Sequence, residues 1–211
     1  MFGFFDIMQK GGPLMWCIFI CSVITLAVFI ERIWHLYRAR IDTQRFVDGI
    51  LTILKRNKIM EAVEICEHTP GPIAHILKAG IMKHDRPRTE IREVIEDAAS
   101  HEIPRLEKNL AVLATIAHVS PLIGLLGTVT GMIKAFQTIQ QESAAARPVM
   151  AGQLAGGIWE ALITTAAGLG LAILAYIAYN YFVNWVNGFI VDMEKSATHL
   201  VDVLSERGEP K

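Results

Sequence analysis

Charge is scarce in this chain. Only 19% of its 211 residues are Asp, Glu, Lys or Arg, against about 25% in ordinary soluble domains, while 52% are hydrophobic. That composition is too apolar for a soluble fold. Cysteine is scarcer still: Cys17 and Cys21 stand one helical turn apart in an apolar run, and Cys66 lies in a polar region without CxxC or histidine-ligand spacing. Neither a disulfide nor a zinc site is expected. No charge sign is in excess, with 20 Lys and Arg against 21 Asp and Glu, so there is no basic footprint for nucleic acid. Strand-type alternation, internal repeats, a phosphate-binding glycine loop, a nucleophile beside a base and a metal cluster are also missing, and nothing points to an enzyme or to a cofactor. The length suits one compact unit or a membrane bundle with a modest aqueous portion, and excludes a large multi-domain enzyme.

What the chain has in abundance is charge-free length. A bilayer core of roughly 30 Å takes about 20 apolar residues as helix, which satisfies every backbone polar group internally. The first such run covers 11–30, reads GGPLMWCIFICSVITLAVFI and is closed by Glu31 and Arg32. The second covers 109–133 between Lys108 and Lys134, and the third covers 161–191 between Glu160 and Asp192. As a helix the third is about 46 Å long, so it tilts or, by preference, emerges from the membrane at the aromatic cluster Tyr176, Tyr179, Tyr181, Phe182 and Trp185. The first run reads as a retained span, since only Lys10 precedes it as a basic residue and no small-residue cleavage site follows.

Three spans place 31–108 and the C-terminal segment on one side, which then carries 17 of the 20 basic residues. By the positive-inside rule that side is cytoplasmic, and Arg32, Arg38, Arg40 and Arg45 close behind the first span agree. From Ile41 to Ile103 apolar residues recur at helical spacing: Phe46, Ile50, Ile53 and Leu54; Ile59, Val63 and Cys66; Ile91, Val94 and Ile95. Breakers fall at Thr69-Pro70-Gly71-Pro72 and Asp85-Arg86-Pro87. A helical bundle extending the membrane helices is expected. Arg88 to Lys108 is expected to run directly into the second span as one long helix, with Pro104 bending or breaking it. The scattered histidines His68, His75, His84 and His101 have no metal spacing.

Polar groups inside a membrane are expensive and need a reason. Glu160 follows the apolar stretch 154–159 and reads either as a pore-facing carboxylate or as a first-turn glutamate favoured by the helix dipole and reaching for water. The second span carries Ser120, Gly124, Gly127, Thr128 and Gly131, and the third Gly157, Ala161, Thr165, Gly168 and Ala172. Small residues at such spacing let helices approach closely, which is the simplest reading of the glycines, whereas the threonines could bond their own helix or hold water. Antiparallel spans put Thr128 and Thr165 at similar depth, with Glu160 about one turn further out. One carboxylate and two hydroxyls suit a hydrated proton path better than a fixed cation site, which wants more oxygen ligands. With a single acid here, a partner is missing. His118 reads most simply as a buried, neutral, hydrogen-bonded group. Asn180, Asn184 and Asn187 read as packing or interfacial groups, and Pro121 as a possible kink that frees a carbonyl near Ala117.

The segment Ser120-Pro121-Leu122-Ile123-Gly124-Leu125-Leu126-Gly127-Thr128-Val129-Thr130-Gly131, followed by Phe136, resembles the second-span signature of the ExbB/TolQ/MotA proton-channel family. Glu160-Ala161-Leu162-Ile163-Thr164-Thr165-Ala166-Ala167-Gly168-Leu169 and the later Tyr179-Asn180 resemble its third-span signature. Three spans place the resemblance nearer ExbB and TolQ than the four-span flagellar stators. The resemblance implies a homopentamer whose central pore encloses the single-span helices of an ExbD/TolR-like dimer, and a TonB/TolA-like transducer that carries the output to the outer membrane. It also implies that Thr128, Glu160 and Thr165 line the proton path; His118 stands where a smaller polar residue is expected.

The fold class expected is an all-α integral membrane protein, with three transmembrane helices and long cytoplasmic helical extensions, in the bacterial inner membrane. The expected order is a periplasmic N-terminus (1–10), a first span (11–30), a cytoplasmic helical region (31–108), a second span (109–133), a periplasmic loop and entry to the third helix (134–157), a third span (158–182) and a cytoplasmic C-terminal helix (183–211). The function expected is a proton-channel subunit of a motor that converts proton motive force into mechanical work. The alternative is a membrane scaffold or assembly protein without ion conduction.

Overall fold

The computed structural model describes residues 8–39, 41–144, 148 and 151–208. Most of the expected N-terminal segment 1–10, and the part of the expected loop at 145–147, 149 and 150, lie outside these residues. Among the described residues there is no strand. Three helical stretches, beginning at Gly12, Leu110 and Leu154, are long and apolar enough to cross a membrane. The protein is an all-α membrane protein.

Helix α1 spans Gly12–Ala39. Asp42 caps α2, Thr43–Lys55, by accepting a hydrogen bond from the Arg45 N–H at 3.2 Å. Asn57, at φ 63°, turns the chain into α3, Ile59–His68. The two breakers seen in the sequence fall between helices. Pro72 opens α4, Pro72–Ile81, behind Gly71 at φ 119°; a Cβ there would also sit 3.0 Å from the Ala39 carbonyl oxygen, so only glycine suits this turn. Pro87 precedes α5, Arg88–Glu107. Helix α6 is Leu110–Ala144 and α7 is Ala151–Gly208.

The expected continuous helix from Arg88 into the second span is not formed. Helix α5 passes through Pro104 and stops at Glu107, and Asn109 adopts φ 62° before α6 begins. The break sits where the backbone can best accept it. The Arg32 guanidinium donates to the Leu106 carbonyl at 3.2 Å, satisfying one of the orphan acceptors at a helix end, and asparagine tolerates the left-handed region better than most residues. The helix limits also differ from the expected span limits. Helix α6 continues past 133 because 134–144 contains no glycine or proline, and α7 is one helix because no proline interrupts it.

The chain divides into two compact units. In the first, Met1–Ile30 and Asn109–Asn180, Ile18 of α1 packs with Ile116 and Ala117 of α6 and Leu171 and Ala175 of α7. In the second, Glu31–Lys108 and Tyr181–Lys211, buried Leu54, Cys66, Leu77, Ile91, Ile95 and Phe182 belong to its core. Helices α4, α5 and α7 meet there: a Cβ on Gly80 would lie 2.7 Å from Ile95 Cδ1 and 2.9 Å from Leu200 Cδ2. Of the residues picked out by helical spacing, Ile50, Leu54, Cys66, Ile91 and Ile95 are buried.

Candidate functional site

The site lies in the first unit, along the seam of α6 and α7. Burial on α6 follows one stripe, with Leu113, Ile116, Ala117, Ser120, Gly124, Gly127, Gly131 and Ala135 all buried. The residues spaced three and four apart face one way. Larger apolar side chains, including Leu122, Leu125, Val129 and Phe136 on α6 and Leu162, Ile173, Leu174 and Ile177 on α7, point outward instead. This is the distribution expected where the surroundings are lipid or other apolar helices rather than water.

The seam is closed by backbone. A Cβ on Gly131 would lie 2.6 Å from the Gly157 carbonyl oxygen, and one on Gly168 would lie 2.6 Å from that of Ser120. Gly124 faces Thr165, whose Cα would stand 3.0 Å from an added Cβ, and Gly127 faces Thr164. As the α6 position falls from 131 to 120 the α7 partner rises from 157 to 168, so the helices are antiparallel. Gly124, Gly127, Gly131 and Gly168 therefore each occupy a close approach that a side chain would obstruct.

The three polar candidates are not equivalent. The Thr165 hydroxyl donates across the seam to the Gly124 carbonyl at 2.8 Å and lies 3.1 Å from the Ala161 carbonyl of its own helix. Thr128 donates to Leu125 on its own helix at 2.6 Å. The register sets Thr165 level with Gly124, so Thr128 stands about one turn, ~6 Å, nearer to Glu160 than Thr165 does; the expectation of equal depth is corrected to that extent. The reason is that helix register depends on where the glycines touch, not on the ends of the apolar runs.

Glu160 is not a lone carboxylate. Lys134 of α6 donates to both its oxygens, at 2.5 and 2.8 Å, and the Glu160 side chain is only 14% exposed. Lys134 lies one turn to one side of the Gly131–Gly157 contact and Glu160 one turn to the other, so the pair forms because the two long side chains reach towards each other across that contact. Gly12, at φ 66°, faces the same carboxylate; a Cβ there would overlap it. The start of α1 thus joins α6 and α7 around Glu160.

In the sequence Lys134 stands only as the end of an apolar run. The signal for its pairing was the small-residue register, which sets Gly131 against Gly157 and so leaves Lys134 and Glu160 within side-chain reach across that contact. Thr164 was also passed over: it is fully buried, and its hydroxyl donates to the Glu160 carbonyl at 2.8 Å. His118 is exposed rather than buried, with Nδ1 2.6 Å from the Ala114 carbonyl, because it falls off the buried stripe. Pro121 sits inside an unbroken α6. Beside it, the buried Ser120 hydroxyl has no hydrogen-bond partner. Among the described residues no group of histidine, cysteine or acidic side chains is arranged to hold a metal ion.

Antiparallel helices of membrane-crossing length with a glycine seam, threonine hydroxyls and a held carboxylate fit a membrane protein of the channel or transport class. The model of the MotA/TolQ/ExbB proton channel family matches residues 68–195, and the chain belongs to that family. It is 35% identical over 181 residues to ExbB-like 1 of Synechocystis sp., a biopolymer transport relative, covering 85% of this chain and 70% of that one. It is 33% identical over 170 residues to the Tol-Pal system protein TolQ of Haemophilus influenzae, covering 75% and 73%. With the biopolymer transport protein ExbB of Vibrio cholerae it shares 26% identity over 201 residues, covering 92% and 86%. The family role is that of a proton channel in biopolymer transport.

Proposed function

We propose that this chain is the proton-channel subunit of an inner-membrane motor, acting as a homopentamer with an ExbD/TolR-like single-span dimer in its pore and driving a TonB/TolA-like transducer. The spans at 109–133 and 158–182 line the pore, with the N-terminus periplasmic and the C-terminus cytoplasmic. Thr128, Glu160 and Thr165 form the polar wall of the path. The observation that carries this reading is Glu160, an acid on a membrane-length apolar helix held by a cation from the facing helix; a carboxylate so placed is a functional group by default.

Glu160→Ala and Thr165→Val should greatly impair proton-motive-force-dependent work while the assembly keeps its mass. Normal uptake or envelope function in both variants would remove the proposal. A scaffold without conduction is the second reading, favoured by the threonine hydroxyls being bonded to helix carbonyls and by the pairing of Glu160. Under it Glu160→Gln is silent, whereas disrupting the helical region 31–108 abolishes function. The mass of the detergent-purified complex, alone and with a single-span partner, separates the readings further: five copies retaining the partner support the motor, and a monomer or dimer that ignores it supports the scaffold.

A further inference from the structure

We propose that Lys134 is the positioning residue for Glu160: its ammonium pins the carboxylate against α6, so that Glu160 can serve the proton path only when the pair opens. This rests on the assignment of Glu160 to the proton path. Both carboxylate oxygens are engaged by one ammonium, and Gly12 closes on the same group from α1.

The geometry gives the pair an asymmetry suited to opening. The Glu160 side chain is 14% exposed, but that of Lys134 is 48% exposed. The carboxylate is confined between three helices while the lysine has a long stem and open space to swing into. Besides Lys134, α6 carries His118 and Glu142, and Lys10 stands just ahead of α1, which carries Glu31, Arg32, His35 and Arg38 in its C-terminal part. Lys134 makes a salt bridge with Glu160. Charge-assisted bonds of this kind are strong and directional, and opening the pair is a step that proton transfer through Glu160 must include.

The test uses the complex isolated with its own partners and reconstituted in phosphatidylethanolamine and phosphatidylglycerol vesicles holding a pH-sensitive dye. Proton entry is followed under an imposed potassium diffusion potential for wild type, Lys134→Gln, Lys134→Arg and Glu160→Gln. Resting entry should rise at least about tenfold in Lys134→Gln, corresponding to ~1.4 kcal/mol in the opening step, and return towards wild type in Lys134→Arg. Wild-type entry in Lys134→Gln, with entry abolished in Glu160→Gln, would overturn the role of Lys134 and leave the proton path intact. Entry unchanged in Glu160→Gln would overturn the path itself.

Infrared difference spectra of the complex give a second check. A carboxylate-stretch band assigned by its loss in Glu160→Gln and lying at the same frequency in wild type and Lys134→Gln would show a carboxylate not held by the ammonium and sink the proposal. A shift of that band in Lys134→Gln, reversed in Lys134→Arg, is the expected result.

Discussion

Thr164 occupies the space that a side chain at position 127 would need: a Cβ on Gly127 would lie 2.6 Å from the Thr164 Cβ. The threonine is fully buried and its hydroxyl is returned to its own helix, at 2.8 Å from the Glu160 carbonyl and 3.1 Å from that of Ala161. One helix thus presents a notch and the other a compact, already satisfied side chain. Close contact follows with the Thr164 hydroxyl satisfied, and with it comes a register from which Lys134 can reach Glu160.

Gly131→Ala should destabilise the protein by about 1–3 kcal/mol, the usual cost of overpacking, because its nearest obstacle is the Gly157 carbonyl, which is backbone and cannot rotate away. Gly49→Ala meets nothing within 4 Å and should stabilise by about 0.5–1 kcal/mol through helix propensity. Thermal unfolding of the detergent-solubilised protein checks both. Equal effects of the two substitutions would argue against the seam.

Thr165→Val should lower proton-coupled work far more than it lowers stability. The hydrogen bond to Gly124 joins two membrane helices, and such bonds average only ~0.6 kcal/mol. Thr165→Ser retains the hydroxyl and should retain most of the work. A valine variant that unfolds or fails to assemble would instead assign Thr165 to packing.

Arg32→Met should loosen the junction of α5. The guanidinium is fully buried, pairs with Glu31 at 2.6 Å and donates to Leu106; its removal leaves a buried acceptor unsatisfied, at a cost of about 1–3 kcal/mol. Hydrogen exchange across 104–110 should accelerate, while exchange at α3 stays unchanged. Arg32→Lys should rescue only partly, since an ammonium lacks the planar fork that serves the carboxylate and the carbonyl together.

Cys66, in the second unit and outside the expected spans, should resist thiol reagents until the protein unfolds. Burial pushes its thiol up to about 11, and the nearby Lys78 offsets this only in part. An acid whose folded value is raised remains protonated when its unfolded form has ionised, so the folded state binds more protons between the ordinary value of 9.0 and about 11. Stability should therefore fall as pH rises through that window. Cys66→Ala should flatten the dependence, and maleimide labelling before and after denaturation checks the accessibility.

Local information carried much of this protein. Charge-free length announced three membrane helices, three- and four-residue spacing announced the helical region, and the breakers at 69–72 and 85–87 marked its interruptions, because span formation, amphipathicity and proline geometry act over one or a few turns. Chemistry was legible as residue type: an acid and threonines among apolar neighbours were recognisable without coordinates. Tertiary structure alone decided which of these groups meet. Lys134 reaches Glu160 from 26 residues away and Arg32 reaches Leu106 from 74 away, and each depends on how far helices rotate and slide before their backbones touch. The break at Asn109 belongs with them. Glycine contacts and a buried guanidinium set those positions, and no local propensity encodes a contact between segments so far apart.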